Sequence, residues 1–160
     1  MLLRVLPVLA ILAVSPAFAD DKEKPGVSLT DEEKTIFELT NKARAKEKLP
    51  PLKLNSVLTK VARAHSANMA KQEKMEHELD GKNPSQRIKE AGYAASWGGE
   101  NIAESNGDTP ESVVKLWMES PEHKANILRD KFTEIGVGIA RNAKGEVYYT
   151  QVFAAPKKKR

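Results

Sequence analysis

The chain has 160 residues, 30% charged and 40% hydrophobic, with nine Gly and nine Pro. That is one domain's worth of ordinary globular composition, and it excludes collagen-like, coiled-coil and wholly disordered chains. The formal net charge is +4, but Lys157, Lys158, Lys159 and Arg160 supply the whole excess, so the body is neutral and carries no footprint for nucleic acid.

Met1–Ala19 reads as a secretory signal peptide. Arg4 is the positive n-region, Val5–Val14 is apolar, and Ala17-Phe18-Ala19 is an A-x-A cleavage site before Asp20. The apolar run is shorter than the ~20 residues a spanning helix needs, so no transmembrane segment is expected. The protein is therefore expected in the periplasm or secreted. It has no Cys, so neither a lipidated Cys nor a disulfide is available, and the core must hold the fold unaided. Residues 20–28, with Pro25-Gly26, read as a flexible leader to a domain over 29–155, and 156–160 as a solvated basic tail. A monomer is expected.

Within the domain, Thr30 and Glu33 form a capping box for a helix with Ile36, Leu39 and Ala43 on its apolar stripe, stopped by Pro50-Pro51. A second helix is predicted after Ser56, with Leu58, Val61, Ala62, His65 and Met69 inward, fraying near Met75. Asp80-Gly81 and Asn83-Pro84 mark a loop, and Ser85–Ala91 a short helix ended by Gly92. Trp97–Glu104 reads as extended. Thr109-Pro110-Glu111 starts another helix, and Ser120-Pro121-Glu122 repeats that grammar for a short helix through Leu128. The period then changes to two: Ile135, Val137 and Ile139 alternate with glycines, Asn142–Gly145 is a turn, and Val147–Phe153 is a second strand. The class is α+β, helices around a small antiparallel sheet.

Few residues can carry chemistry. No nucleophile elbow, zincin pair or P-loop is present. Gly136-Val137-Gly138 opens like a dinucleotide fingerprint, but Arg141 stands at the third glycine; the pair reads instead as glycines on the packed face of a strand. His65 reads as a core histidine satisfied by one hydrogen bond, and His77 as an exposed residue near a turn. His123 falls in the first turn of its helix with Ser120 as cap. There the dipole disfavours imidazolium while Glu122 favours it, and if the dipole wins a neutral ring can be a ligand or base. Glu100 shares a face with Ile102. It is either a buried carboxylate that needs an imidazole partner or a rim carboxylate in water.

From about Glu33 to Phe153 the sequence resembles the CAP superfamily, or SCP domain: cysteine-rich secretory proteins, antigen 5 and plant pathogenesis-related proteins. It is most similar to the compact exported bacterial members. The pieces that carry the likeness include Asn41-Lys-Ala-Arg44, Ala64-His-Ser-Ala-Asn-Met69, His77 before Asp80-Gly81, Arg87-Ile, Gly99-Glu-Asn-Ile-Ala103, Ser120-Pro-Glu-His-Lys-Ala-Asn-Ile-Leu128 and Thr133-Glu-Ile-Gly-Val-Gly138. The resemblance implies an α–β–α sandwich, with helices on both faces of an antiparallel sheet, and a cleft lined by two His and two Glu. His77, Glu100 and His123 match three of those positions. Relatives place the fourth three residues after the helix Trp, which here is Ser120; Glu119 lies one residue off and is carried as a candidate.

On this likeness His77, Glu100 and His123 are expected to bind a divalent cation, Zn²⁺ first, in a non-enzymatic extracellular module whose partner is a lipid, glycan or peptide. The alternative is a metal-assisted protease or cell-wall hydrolase with Glu119 or Glu122 as base. A third reading is a purely structural His–Glu cluster.

Overall fold

The computed structural model describes residues 27–158; the leader through Ala19, the cleavage point before Asp20, and Lys159-Arg160 lie outside them. The elements run α1 (Asp31–Lys46), β1 (Lys53–Leu54), α2 (Ser56–Gln72), α3 (Pro84–Glu90), β2 (Ala95–Ser105), α4 (Pro110–Glu119), α5 (Pro121–Ile127), β3 (Glu134–Arg141) and β4 (Val147–Pro156).

Local chemistry sets the helix ends. Thr30 accepts from the Glu33 amide while the Glu33 carboxylate accepts from the Thr30 amide, a reciprocal cap. Asn55 caps α2 one residue earlier than the sequence suggests, its side chain accepting from the Val57 and Leu58 amides. That helix closes at Gln72, short of Met75, because Glu73 turns left-handed (φ 52°). Asp80 and Gly81 both have positive φ and bring Leu79 and Lys82 into a bridge, the tight-turn geometry that an Asp-Gly pair favours.

The sheet order is β1-β3-β4-β2. β2, β3 and β4 pair antiparallel, but β1 pairs parallel with β3, so the sheet is mixed rather than wholly antiparallel. Two residues are too few to show a period. β1 exists because the Lys53 and Asn55 amides find the carbonyls of Thr133 and Ile135, each at 2.9 Å.

Strand alternation divides the core. Ile135, Val137, Tyr149 and Phe153 face α1, α4 and α5, packing with Ile36, Val113, Trp117, Ile127 and Phe132. The alternate residues face α2 and α3, where Val152 and Ala154 meet Leu58, Val61, Ala62 and Ile88. β4 is buried along both faces, as expected of the central strand between two helical layers. Gly136 and Gly138 let α2 lie directly on the sheet. A Cβ at Gly136 would stand 2.0 Å from the Leu58 carbonyl carbon, and one at Gly138 2.2 Å from the Arg63 amide nitrogen. The glycine pair is thus a packing surface.

Arg44 ties the far layer together. Its buried guanidinium donates to the carbonyls of Pro50, Ile127, Arg129 and Phe132, joining α1, the loop after it, α5 and the approach to β3. Burial lowers its pKa against the opposing pull of Asp130.

Candidate functional site

The site straddles β2, an edge strand of the sheet. Glu100 points with Ile102 into the α2 face, and both are buried. His77 reaches it from the loop after α2, with Nδ1 at 2.9 Å from Glu100 Oε1. A carboxylate only accepts, so Nδ1 donates to it and Nε2 points away from Glu100. The other oxygen, Oε2, accepts from Arg87 Nη2 at 2.7 Å. Arg87 also donates through Nη1 to the carbonyls of His77 and Lys82, so one guanidinium fixes both the carboxylate and the backbone of the imidazole that rests on it.

His123 arrives from the other layer, on the first turn of α5. Ser120 precedes that helix but makes no capping bond through its side chain. Its hydroxyl instead meets His123 Nδ1 at 2.9 Å. The His123 pKa is lowered, first by burial and then by the neighbouring His77, against the opposing pull of Glu122. The neutral ring, which the sequence left open between the helix dipole and Glu122, is thus favoured chiefly by desolvation.

A buried amide network seats α5 against β2. Asn126 Nδ2 donates to the Glu100 carbonyl and to Asn101 Oδ1. Asn101 Nδ2 donates to the His123 carbonyl and to Gln151 Oε1, and Gln151 Nε2 donates to Thr40 Oγ1 on α1. The chain runs from the site to the opposite helix, each member satisfied by the next.

His65 lies beneath this group. It is fully buried, its Nε2 3.6 Å from Glu100 Oε1, and neither ring nitrogen has a partner at hydrogen-bond distance. The sequence reading put it in the core but gave it one bond. Burial lowers its pKa, opposed by Glu100 and by the nearby backbone of Glu76, and reinforced by Arg87 and His77.

Glu100 thus bonds His77, and His123 lies near enough to His77 to feel its charge. Glu119 stands apart: it lies on the solvent face of α4, its side chain 60% exposed and 3.9 Å from Lys115, because one residue along a helix rotates a side chain by about 100°. Ser120, the position three residues after Trp117, holds the place beside His123. Sequence reasoning assigned no role to Arg87 or Asn126 and weighed Asn101 only as a turn residue. All three lie within matching family pieces, but nothing local marks them as members of the site.

Among the described residues, no three His, Cys, Asp or Glu side chains converge as a metal-binding group. What the arrangement offers is two imidazoles whose Nδ1 atoms are held, by Glu100 and by Ser120, leaving Nε2 on each. That fits a site with two protein ligands in which Glu100, with both oxygens engaged, stands behind His77. No helix among the described residues is long and apolar enough to cross a membrane.

The model of the cysteine-rich secretory protein family matches residues 37–153. YkwD of Bacillus subtilis is 40% identical over 127 residues, covering 79% of this chain and 48% of that protein; the chain spans about half the length of the curated relatives it matches. Among solved structures, an extracellular SCP-domain protein of Bacillus anthracis is similar at TM-score 0.71 and 27% identity, over 81% of this chain and 45% of that one. An outer surface protein of Borrelia burgdorferi shares the fold at TM-score 0.75 and 23% identity, over 82% of this chain and 97% of that one. With the sandwich in place, and with the family match running from α1 through β4, the chain belongs to the cysteine-rich secretory protein (CAP) family.

Proposed function

We propose that the protein is an exported, non-enzymatic binding module whose cleft takes a divalent cation, Zn²⁺ first, with His77 and His123 as the residues that would hold it. The observation that carries this is the pair of Nδ1 contacts, to Glu100 at 2.9 Å and to Ser120 at 2.9 Å. A metal-ligating histidine is ordinarily oriented through its other nitrogen by such a partner. The lowered pKa of His123 supports the same reading, since only the neutral ring ligates. A bound cation would supply Lewis acidity and open coordination positions for a ligand's oxygen or nitrogen. Glu100 and Arg87 would fix the His77 tautomer and the Asn101–Asn126 pair the seat of α5. Export is supported by the Met1–Ala19 leader and by the extracellular Bacillus anthracis relative.

The test is a calorimetric Zn²⁺ titration of the metal-stripped chain from Asp20 onward. Saturable binding, lost in His77→Ala and His123→Ala and about 10–100-fold weaker in Glu100→Gln, is expected. No binding in the parent, with the variants merely less stable, would make the cluster structural.

One observation favours a hydrolase as second reading, the Ser120 hydroxyl at 2.9 Å from His123 Nδ1. A serine nucleophile needs a base that is itself oriented by a third group, and no carboxylate among the described residues bonds His123. Labelling of Ser120 by a fluorophosphonate, abolished in His123→Ala, would establish this reading.

A further inference from the structure

Trp97 is unaccounted for by the imidazole cleft. It lies three residues before Glu100 on the same edge strand, about 10 Å away at strand rise, and is 46% exposed. A tryptophan in a β-strand ordinarily hides its ring. This one opens the unbroken register of β2 on β4, pairing with Ala155 directly after a bulge in which Ser96 is the extra residue between the Ala95–Pro156 and Trp97–Ala155 pairs. The Ser96 hydroxyl bonds the carbonyls of Ala155 and Pro156, which pins the bulge from inside.

The indole then divides two concave surfaces. One, of about 400 Å³, runs toward α3 and includes Lys89 and Lys157; the other, of about 480 Å³, runs toward the approach to β3 and includes Lys131 and Lys158. Neither is lined by an Asp or Glu. None of the four lysines makes an ion pair with a described residue, and the Lys131 ammonium lies 5.1 Å from the Trp97 ring centroid. In a body whose charges otherwise balance, this is a local positive field built around one presented aromatic face.

A flat, half-exposed indole between two grooves takes the apolar face of a sugar ring, and flanking lysines take carboxylate or sulfate on neighbouring sugars. A membrane-inserting surface would need a cluster of exposed apolar side chains. Among the described residues Trp97 stands alone here, since the other large exposed hydrophobics, Met75 and Leu116, lie in the loop after α2 and on α4.

We infer that the Trp97 surface binds an anionic glycan chain, with the indole as stacking platform and Lys89, Lys131, Lys157 and Lys158 as its charge partners. This deepens the binding-module reading by naming a ligand class, yet it uses residues the cation site does not.

The test is binding of galacturonic acid oligomers and of heparin hexasaccharide, against neutral dextran oligomers and phosphatidylglycerol vesicles, followed by tryptophan fluorescence and calorimetry. Saturable binding to an anionic oligomer is expected, weakened in high salt because exposed charges are screened. It should fall at least about tenfold, or ~1.4 kcal/mol, in Trp97→Ala, recover in part in Trp97→Tyr, fall in Lys131→Gln, and persist in His77→Ala. Unchanged affinity in Trp97→Ala, equal binding of dextran, failure of both anionic glycans, or binding of vesicles alone would each overturn the inference. Loss of Zn²⁺ binding with glycan binding intact would sink only the cation reading, and the converse only this one.

Discussion

Glu100 shows how much one buried carboxylate commits its neighbours to. With its side chain 1% exposed, it must have partners for both oxygens, and it has them in His77 and Arg87. Removing one partner leaves a charge stranded: Arg87→Met is expected to cost about 3 kcal/mol in urea unfolding. Arg87→Lys should restore little, since an ammonium cannot span the carboxylate and two carbonyls as the planar guanidinium does. Asn101→Ala leaves Asn126, Gln151 and the His123 carbonyl short of a partner. It should cost about 2 kcal/mol and weaken Zn²⁺ binding in the same titration, because α5 loses its seat. Sequence alone raised Glu100 as a carboxylate sharing a face with Ile102, and that much is local alternation. Arg87, thirteen residues away on another element, leaves no comparable trace.

At the scale of elements, the contact between α2 and the sheet rests on two missing side chains. Gly136→Ala and Gly138→Ala would each drive a methyl into main-chain atoms of α2, which cannot move aside as a side chain could. Each is expected to cost about 3 kcal/mol or more, read as a fall in thermal midpoint. Gly99→Ala meets the Phe132 ring at 2.7 Å. That ring stacks on Phe153 at 5.5 Å, so it yields only with repacking, and a smaller loss is expected. Thr30→Ala removes a reciprocal cap and should cost about 1 kcal/mol. Both the cap and the glycine face were legible, one as a spacing of three residues and the other as a period of two. The parallel pairing of β1 was not, because its two residues form a strand only through carbonyls some eighty residues further on.

For the molecule as a whole, the buried histidine sets an acid limit. His65 is held below its ordinary pKa by burial, whereas in the unfolded chain it titrates near 6.5. Above that value both states hold it neutral and it contributes no pH dependence. As pH falls through it, the unfolded chain takes up a proton that the folded chain refuses, so stability drops by up to about 1.4 kcal/mol per pH unit. Thermal midpoints measured from pH 8 to pH 5 should therefore be flat and then fall, and His65→Gln should flatten part of the acid limb. A parent curve without that fall would show that the folded state protonates His65 as readily as the unfolded one.

The helices, the long strands and the family are written locally in the chain. Caps, breakers and periodicity are written within a few residues of where they act, and the order of the matched pieces identifies the CAP fold. Which groups would touch is a different matter. The meeting of His77 with Glu100 and Arg87, the diversion of the Ser120 hydroxyl from its helix to His123, and the outward turn of Trp97 each depend on elements far apart in the chain. They arise on folding, because a hydrogen bond or an exposed ring is a property of a neighbourhood, and neighbourhoods are assembled by packing.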